Sequence, residues 1–139
     1  MTAAPHPIGR DEPNWSDEVA AVPANVSRLR GALVAFAADH GADAETQGDI
    51  ALAASEVITN TVVHAYANTA PGTVRLQASV ADDRLHVVIS DEGGGMTPRS
   101  DSPGLGLGLP TIATLAASFS IAPGLGGRGT RVTLEFALP

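Results

Sequence analysis

Apolar residues recur along this chain at two different periods. From Ala24 onward, Val26, Leu29, Leu33, Val34 and Phe36 keep helical spacing as far as His40-Gly41, where Gly41 is placed to end a helix that Pro23 opens. A second, longer helix is predicted over residues 43–67, opened by Asp43 and its neighbouring acids. On an angular count Ile50, Ala54, Val57, Ile58, Thr61 and Ala65 gather on one stripe, the side that would bury against a sheet. Glu56, Asn60 and His64 recur every four residues and so stack on the stripe beside it. That row would look into a groove between this helix and the next element, although the same row alone also fits a polar ridge on a solvated helix.

The second period is two. Trp15 to Val22 reads as a short edge strand with Val19 and Ala21 on one side. Val74, Leu76, Ala78 and Val80 share a face in 73–80, and Leu85, Val87 and Ile89 share one in 84–91, with Ala81-Asp82-Asp83 as the hairpin link. Asn68 to Gly72 reads as a turn. Residues 92–108 are too rich in Gly, Pro and Ser for regular structure, after which Leu109 to Ala117 resumes a helix with Pro110 in its first turn. Ser118 to Ala122 and Thr130 to Ala137 are the last strands, joined by a glycine-rich turn, with Val132, Leu134 and Phe136 facing the core. One-faced alternation excludes a doubly wound parallel sheet. The expected fold is an α+β two-layer sandwich, helices on one face of a mixed or antiparallel sheet. Residues 1–14 are expected as a loose tail and 15–139 as a single domain.

Composition narrows the chemistry. With 44% hydrophobic but only 4% aromatic residues, the core must be built from Ala, Val, Leu and Ile. The absence of cysteine excludes a disulfide framework and a thiolate metal site. A net charge of −7 and a pI near 4.8 argue against direct nucleic-acid binding. All eight basic residues are arginine. Without lysine there is no P-loop, no eukaryotic-type kinase lysine and no Schiff-base chemistry. No apolar run approaches the roughly 20 residues of a membrane span, and Met1 to Gly9 is not a signal peptide, so a soluble cytoplasmic protein is expected.

Two glycine clusters carry candidate chemistry. Asp91-Glu-Gly-Gly-Gly95 leaves a strand at a point where bare backbone can turn sharply and a flat ligand can lie against it. A buried carboxylate there would accept a hydrogen bond from an exocyclic amine such as that of adenine; an acidic hairpin turn is the plainer alternative. Gly104-Leu-Gly-Leu-Gly-Leu109 opens a helix, and free amides at a helix N-terminus bind phosphate. Gly124, Gly126 and Gly129 form a literal Gly-x-Gly-x-x-Gly but precede a strand, so they read as a hairpin turn. There is no His-Glu-x-x-His, no Gly-x-Ser-x-Gly and no calcium loop.

In order, Glu56-x-x-x-Asn60-x-x-x-His64-Ala-Tyr66, Asp91-x-Gly93-x-Gly95, Gly104-x-Gly106-x-Gly108 and Gly129-Thr130 resemble the N box, G1 box, G2 box and terminal Gly-Thr of the GHKL (Bergerat-fold) ATPases. The resemblance spans roughly residues 19–137 and looks most like the small bacterial anti-sigma factor serine kinases of the RsbW and SpoIIAB type. It implies ATP and Mg²⁺ as cofactors. Asn60 would hold Mg²⁺, and Glu56 would act as general base on a serine hydroxyl. Asp91, supported by Thr130, would bind the adenine amine, and Gly93 and Gly95 would admit the base. Residues 96–107 would form a lid, Gly104, Gly106 and Gly108 would close on the phosphates, and His64 would sit near the phosphate end or pin the lid. The partners implied are an anti-anti-sigma (STAS-type) protein and a sigma factor, with a homodimer common among relatives.

Two departures matter: Leu105 stands where many relatives have a basic residue, and Arg99 is the only cation in the lid. They leave open a catalytically weak, nucleotide-gated interaction module. The ATP-binding part of a sensor histidine kinase is a further alternative, disfavoured because nothing before residue 24 reads as a dimerisation helix with a phosphoacceptor histidine.

Overall fold

The computed structural model describes residues 13–65, 72–93, 108–124 and 127–139. Residues 1–12 of the expected tail, most of the turn after the second helix and most of the loop after Asp91 lie outside the described residues, while Asn14, expected in the tail, begins the first strand. Five strands form one sheet: β1 (Asn14–Ala20), β2 (Thr73–Ala81), β3 (Arg84–Asp91), β4 (Ser118–Pro123) and β5 (Thr130–Ala137). Their order is β1-β2-β3-β5-β4 and every pairing is antiparallel, which resolves the choice between a mixed and an antiparallel sheet. The β2–β3 hairpin turns on Asp82 and Asp83, both left-handed at φ 54° and 59°. That pair of angles matches the strand twist of a two-residue turn, and aspartate tolerates it better than most side chains.

Helix α1 (Ala24–Asp39) ends as its sequence suggests. Gly41 adopts φ +106°, the Ala42 amide donates to the Ala37 carbonyl at 3.0 Å and the Gly41 amide to Ala38 at 3.4 Å. This is a Schellman closure, which needs a residue without Cβ strain at that step. Helix α2 (Ala44–Asn60) is capped by Asp43, whose Oδ1 accepts from the Thr46 amide at 2.8 Å.

Contrary to the single helix expected over 43–67, α2 leaves α geometry after Asn60 and continues as a π-helical turn over Thr61–Ala65. Six of the seven residues from Val57 to Val63 are β-branched, crowding the α ladder, and Thr61 Oγ1 donates back to the Val57 carbonyl at 3.1 Å. The four-residue spacing that aligned His64 with Asn60 therefore breaks between them. Helix α3 spans Gly108–Leu115.

Val74, Leu76 and Ala78 of β2, Leu85, Val87 and Ile89 of β3, and Val132, Leu134 and Phe136 of β5 are buried on one face of the sheet. Leu29 and Leu33 of α1 and Ile50, Ala54, Val57 and Ile58 of α2 complete the core with them, and Ile112 of α3 joins it. The stripe expected on α2 is buried as far as Thr61; the Ala65 side chain lies outside the described residues. Leu52, on the same helix, is 52% exposed. Ile58→Ala is expected to cost about 2–5 kcal/mol in urea unfolding, whereas Leu52→Ala should cost less than about 0.5 kcal/mol.

Candidate functional site

Strand alternation decides which polar groups turn inward. Across the sheet, Val19, Val74, Asp91, Thr130 and Pro123 stand in one register row. Two of its members are polar and nonetheless buried, Asp91 at 6% exposure and Thr130 at 3%. Asp91 Oδ1 accepts from the Gly93 amide at 2.8 Å, and this bond needs the chain to bend back immediately after the strand. Burial raises the Asp91 carboxyl above its ordinary pKa, with backbone hydrogen bonds from Gly93 and Thr130 opposing that shift. Asp91, Gly93 and Thr130, expected to act together, are thus brought together.

Gly124 and Gly129 contribute more than the plain turn assigned to them. Gly129 has φ +70°, and a Cβ there would overlap the Asp91 carbonyl oxygen. A Cβ on Gly124 would overlap the Arg128 carbonyl. Gly124 donates its amide to the Gly129 carbonyl at 3.2 Å, folding the β4–β5 connection against the end of β3. The signal was present in the Gly-x-Gly-x-x-Gly spacing, but sequence does not show what the bare backbone would press on.

Glu56 lies on α2 at 3% exposure, and its Oε1 has no hydrogen-bond partner among the described residues. A buried acceptor left unpaired is costly, and such a group persists where a ligand or its water completes it. Asn60, half-buried one turn later, is the last α-helical residue. Gly108 is the first residue of α3, which packs against α2. The His64 side chain, Gly95, Gly104 and Gly106 lie outside the described residues.

No group of three His, Asp or Glu suited to a metal occurs among the described residues. Mg²⁺ does not require one, since it takes one or two protein oxygens and completes its shell with phosphate and water. An Asn60 amide oxygen beside an unpartnered carboxylate fits that donor set.

A family model described as a histidine kinase-like ATPase domain matches residues 19–136. The chain belongs to the histidine kinase-like ATPase domain family. An anti-sigma F factor of Clostridium beijerinckii is 28% identical over 122 residues, covering 80% of this chain and 85% of that protein. The serine-protein kinase RsbW of Bacillus subtilis is 37% identical over 76 residues, 55% of this chain and 48% of that one. The crystal structure of the RsbU and RsbW domains of a Mycobacterium tuberculosis protein superposes with a TM-score of 0.72 at 26% identity. It covers 91% of this chain, which spans 32% of that protein. The five-stranded antiparallel sheet and three helices are those of an RsbW-like GHKL fold.

Within this histidine kinase-like ATPase domain, two outcomes follow from the geometry at Asp91. Because its folded pKa is raised, the stability it contributes is fully present below the unfolded value of 3.8 and is lost as pH rises through the folded value. Urea unfolding from about pH 3 to 7 should show wild type losing stability relative to Asp91→Asn across that rise, and a pH-independent difference would contradict it. Gly129→Ala, which must displace the Asp91 carbonyl and strain its own backbone, should destabilise the fold by about 1–3 kcal/mol in the same measurement.

Proposed function

We propose that the protein is an ATP-dependent serine kinase that phosphorylates a small anti-anti-sigma (STAS-type) partner and, in another state, sequesters a sigma factor. The observation that carries this reading is Glu56, a buried carboxylate with an unpartnered oxygen, one helical turn before Asn60. Family membership and the names of the anti-sigma F factor and RsbW relatives support it.

Bound Mg-ATP supplies the phosphoryl group and the charge neutralisation for its transfer. Glu56 accepts the proton of the incoming serine hydroxyl as the serine oxygen bonds to the γ-phosphorus and ADP departs. Asn60 offers its amide oxygen to Mg²⁺. Asp91 would receive a hydrogen bond from the adenine amine, and Gly93, without a side chain, would admit the base. Gly108, at the start of α3, presents an amide where a phosphate is expected to close. The cytoplasm suits a protein of this activity, and no helix among the described residues is long and apolar enough to cross a membrane.

The second reading, a nucleotide-gated binding module without catalysis, rests on the lid sequence, whose only cation is Arg99. One experiment separates the two: purified protein, Mg-ATP and a STAS-domain partner, followed by phosphosite mapping and calorimetry. The kinase reading expects one labelled serine, a loss of about 10²–10⁴-fold in rate in Glu56→Ala, and retained ATP binding in that variant. Failure to label any serine, with partner capture unchanged in Glu56→Ala, selects the binding module. ATP binding that survives both Asn60→Ala and Asp91→Asn removes both readings.

A further inference from the structure

The face of the sheet turned away from the helices carries a feature that the nucleotide chemistry does not use. One register row there runs Glu18, Arg75, Ser90, Arg131 and Ala122, and the next runs Ser16, Gln77, Val88, Thr133 and Ser120. A groove of about 260 Å³ lies over these rows, with Arg75, Arg131 and Arg128 along it and Val88 among its lining. Neighbouring strands are about 4.8 Å apart, so the Arg75 and Arg131 backbones, one strand to either side of Ser90, stand about 10 Å from each other.

Three of the chain's eight arginines line this groove in a protein whose net charge is −7. Among the described residues, none of the three guanidiniums makes an ion pair or a hydrogen bond. The natural partner for Arg75 is Glu18, opposite it in register, yet Glu18 Oε2 accepts from Thr73 Oγ1 at 3.1 Å instead. Elsewhere on the same face the charges are matched, since Glu135 takes Arg84 at 3.5 Å and lies 3.2 Å from His86. The groove thus holds three guanidiniums without partners among the described residues, beside Glu18, Glu92 and the strand-end Asp91, whose side chain is buried.

We propose that this groove docks an extended acidic segment of a partner protein, its carboxylates received by Arg75, Arg131 and Arg128. Guanidinium forks suit carboxylates, and the three long arginine side chains in the lining can each take one. Glu18 and Glu92 in the lining oppose a dense polyanion, as does the net charge of the chain, so a nucleic acid is the poorer occupant.

The test is an NMR titration of the full-length isotope-labelled protein with a synthetic peptide of alternating glutamate and serine. The expected result is saturable shifts at the amides of 73–77, 88–92 and 128–133, weakening with added salt. Arg75→Gln/Arg131→Gln should bind the peptide about tenfold more weakly, each exposed pair contributing modestly. Its Mg-ATP affinity should stay that of wild type, which separates loss of the groove from loss of the fold or of the nucleotide site. Peptide shifts that fall elsewhere, or an affinity unchanged in the double variant, overturn the proposal. So does equal saturation of the same amides by inorganic phosphate or by an oligouridylate, which would mark the groove as a general anion site or an RNA site.

Discussion

A carboxylate taken out of water has to be held by something, and Asp91 is held by backbone. The Gly93 amide donates to its Oδ1, while Gly129 presses bare backbone on its carbonyl oxygen. The second contact leaves no room for a Cβ at position 129, so the sequence at this strand end is fixed by packing as much as by chemistry. Burial still leaves the carboxyl with a raised pKa, which means that its backbone partners do not fully replace water.

Glu56 is the same situation on the helical layer, with less help. Its buried Oε1 has no partner, and the surrounding α2 residues Ala53, Ala54, Val57 and Ile58 are all in the core. A helix that buries so much apolar surface can carry one costly polar group without losing its place against the sheet. Local rules and global fold agree along most of α2 and conflict at Glu56, which is where function is expected to reside.

The strands were the most legible part of the sequence. A period of two with one buried face predicts β3 and β5 at their observed bounds, and Ala81-Asp82-Asp83 predicts the hairpin between β2 and β3, although Ala81 proves to be the last residue of β2. Asp43 and Gly41 likewise marked helix ends, because caps use side-chain or backbone chemistry readable at a single position. What sequence could not show was geometry that depends on a second element. The departure from α geometry at Thr61 arises from crowding along a β-branched run, whereas the angular count assumed a constant 3.6 residues per turn. The close approach of Gly129 to Asp91 joins positions 38 residues apart, visible only once β3 and β5 pair. Asp91 and Glu56 were identifiable as candidates by residue type and spacing, but their burial, which gives them their character, is a property of the packed layers.

Ser90 and Asp91 are adjacent along β3, yet they stand on opposite faces of the sheet: the carboxylate among the core residues, the hydroxyl between two arginines. The separation of an acidic, water-poor face from a cationic, open one is therefore set by strand register. A slip of one residue in β2–β3 pairing would put Asp91 and Arg75 on the same face of the sheet. The two-residue turn at Asp82-Asp83 fixes that register from one end, and the contact of Gly129 on the Asp91 carbonyl fixes β3 against β5 from the other. The same devices that make the sheet fold uniquely also keep its two chemistries apart.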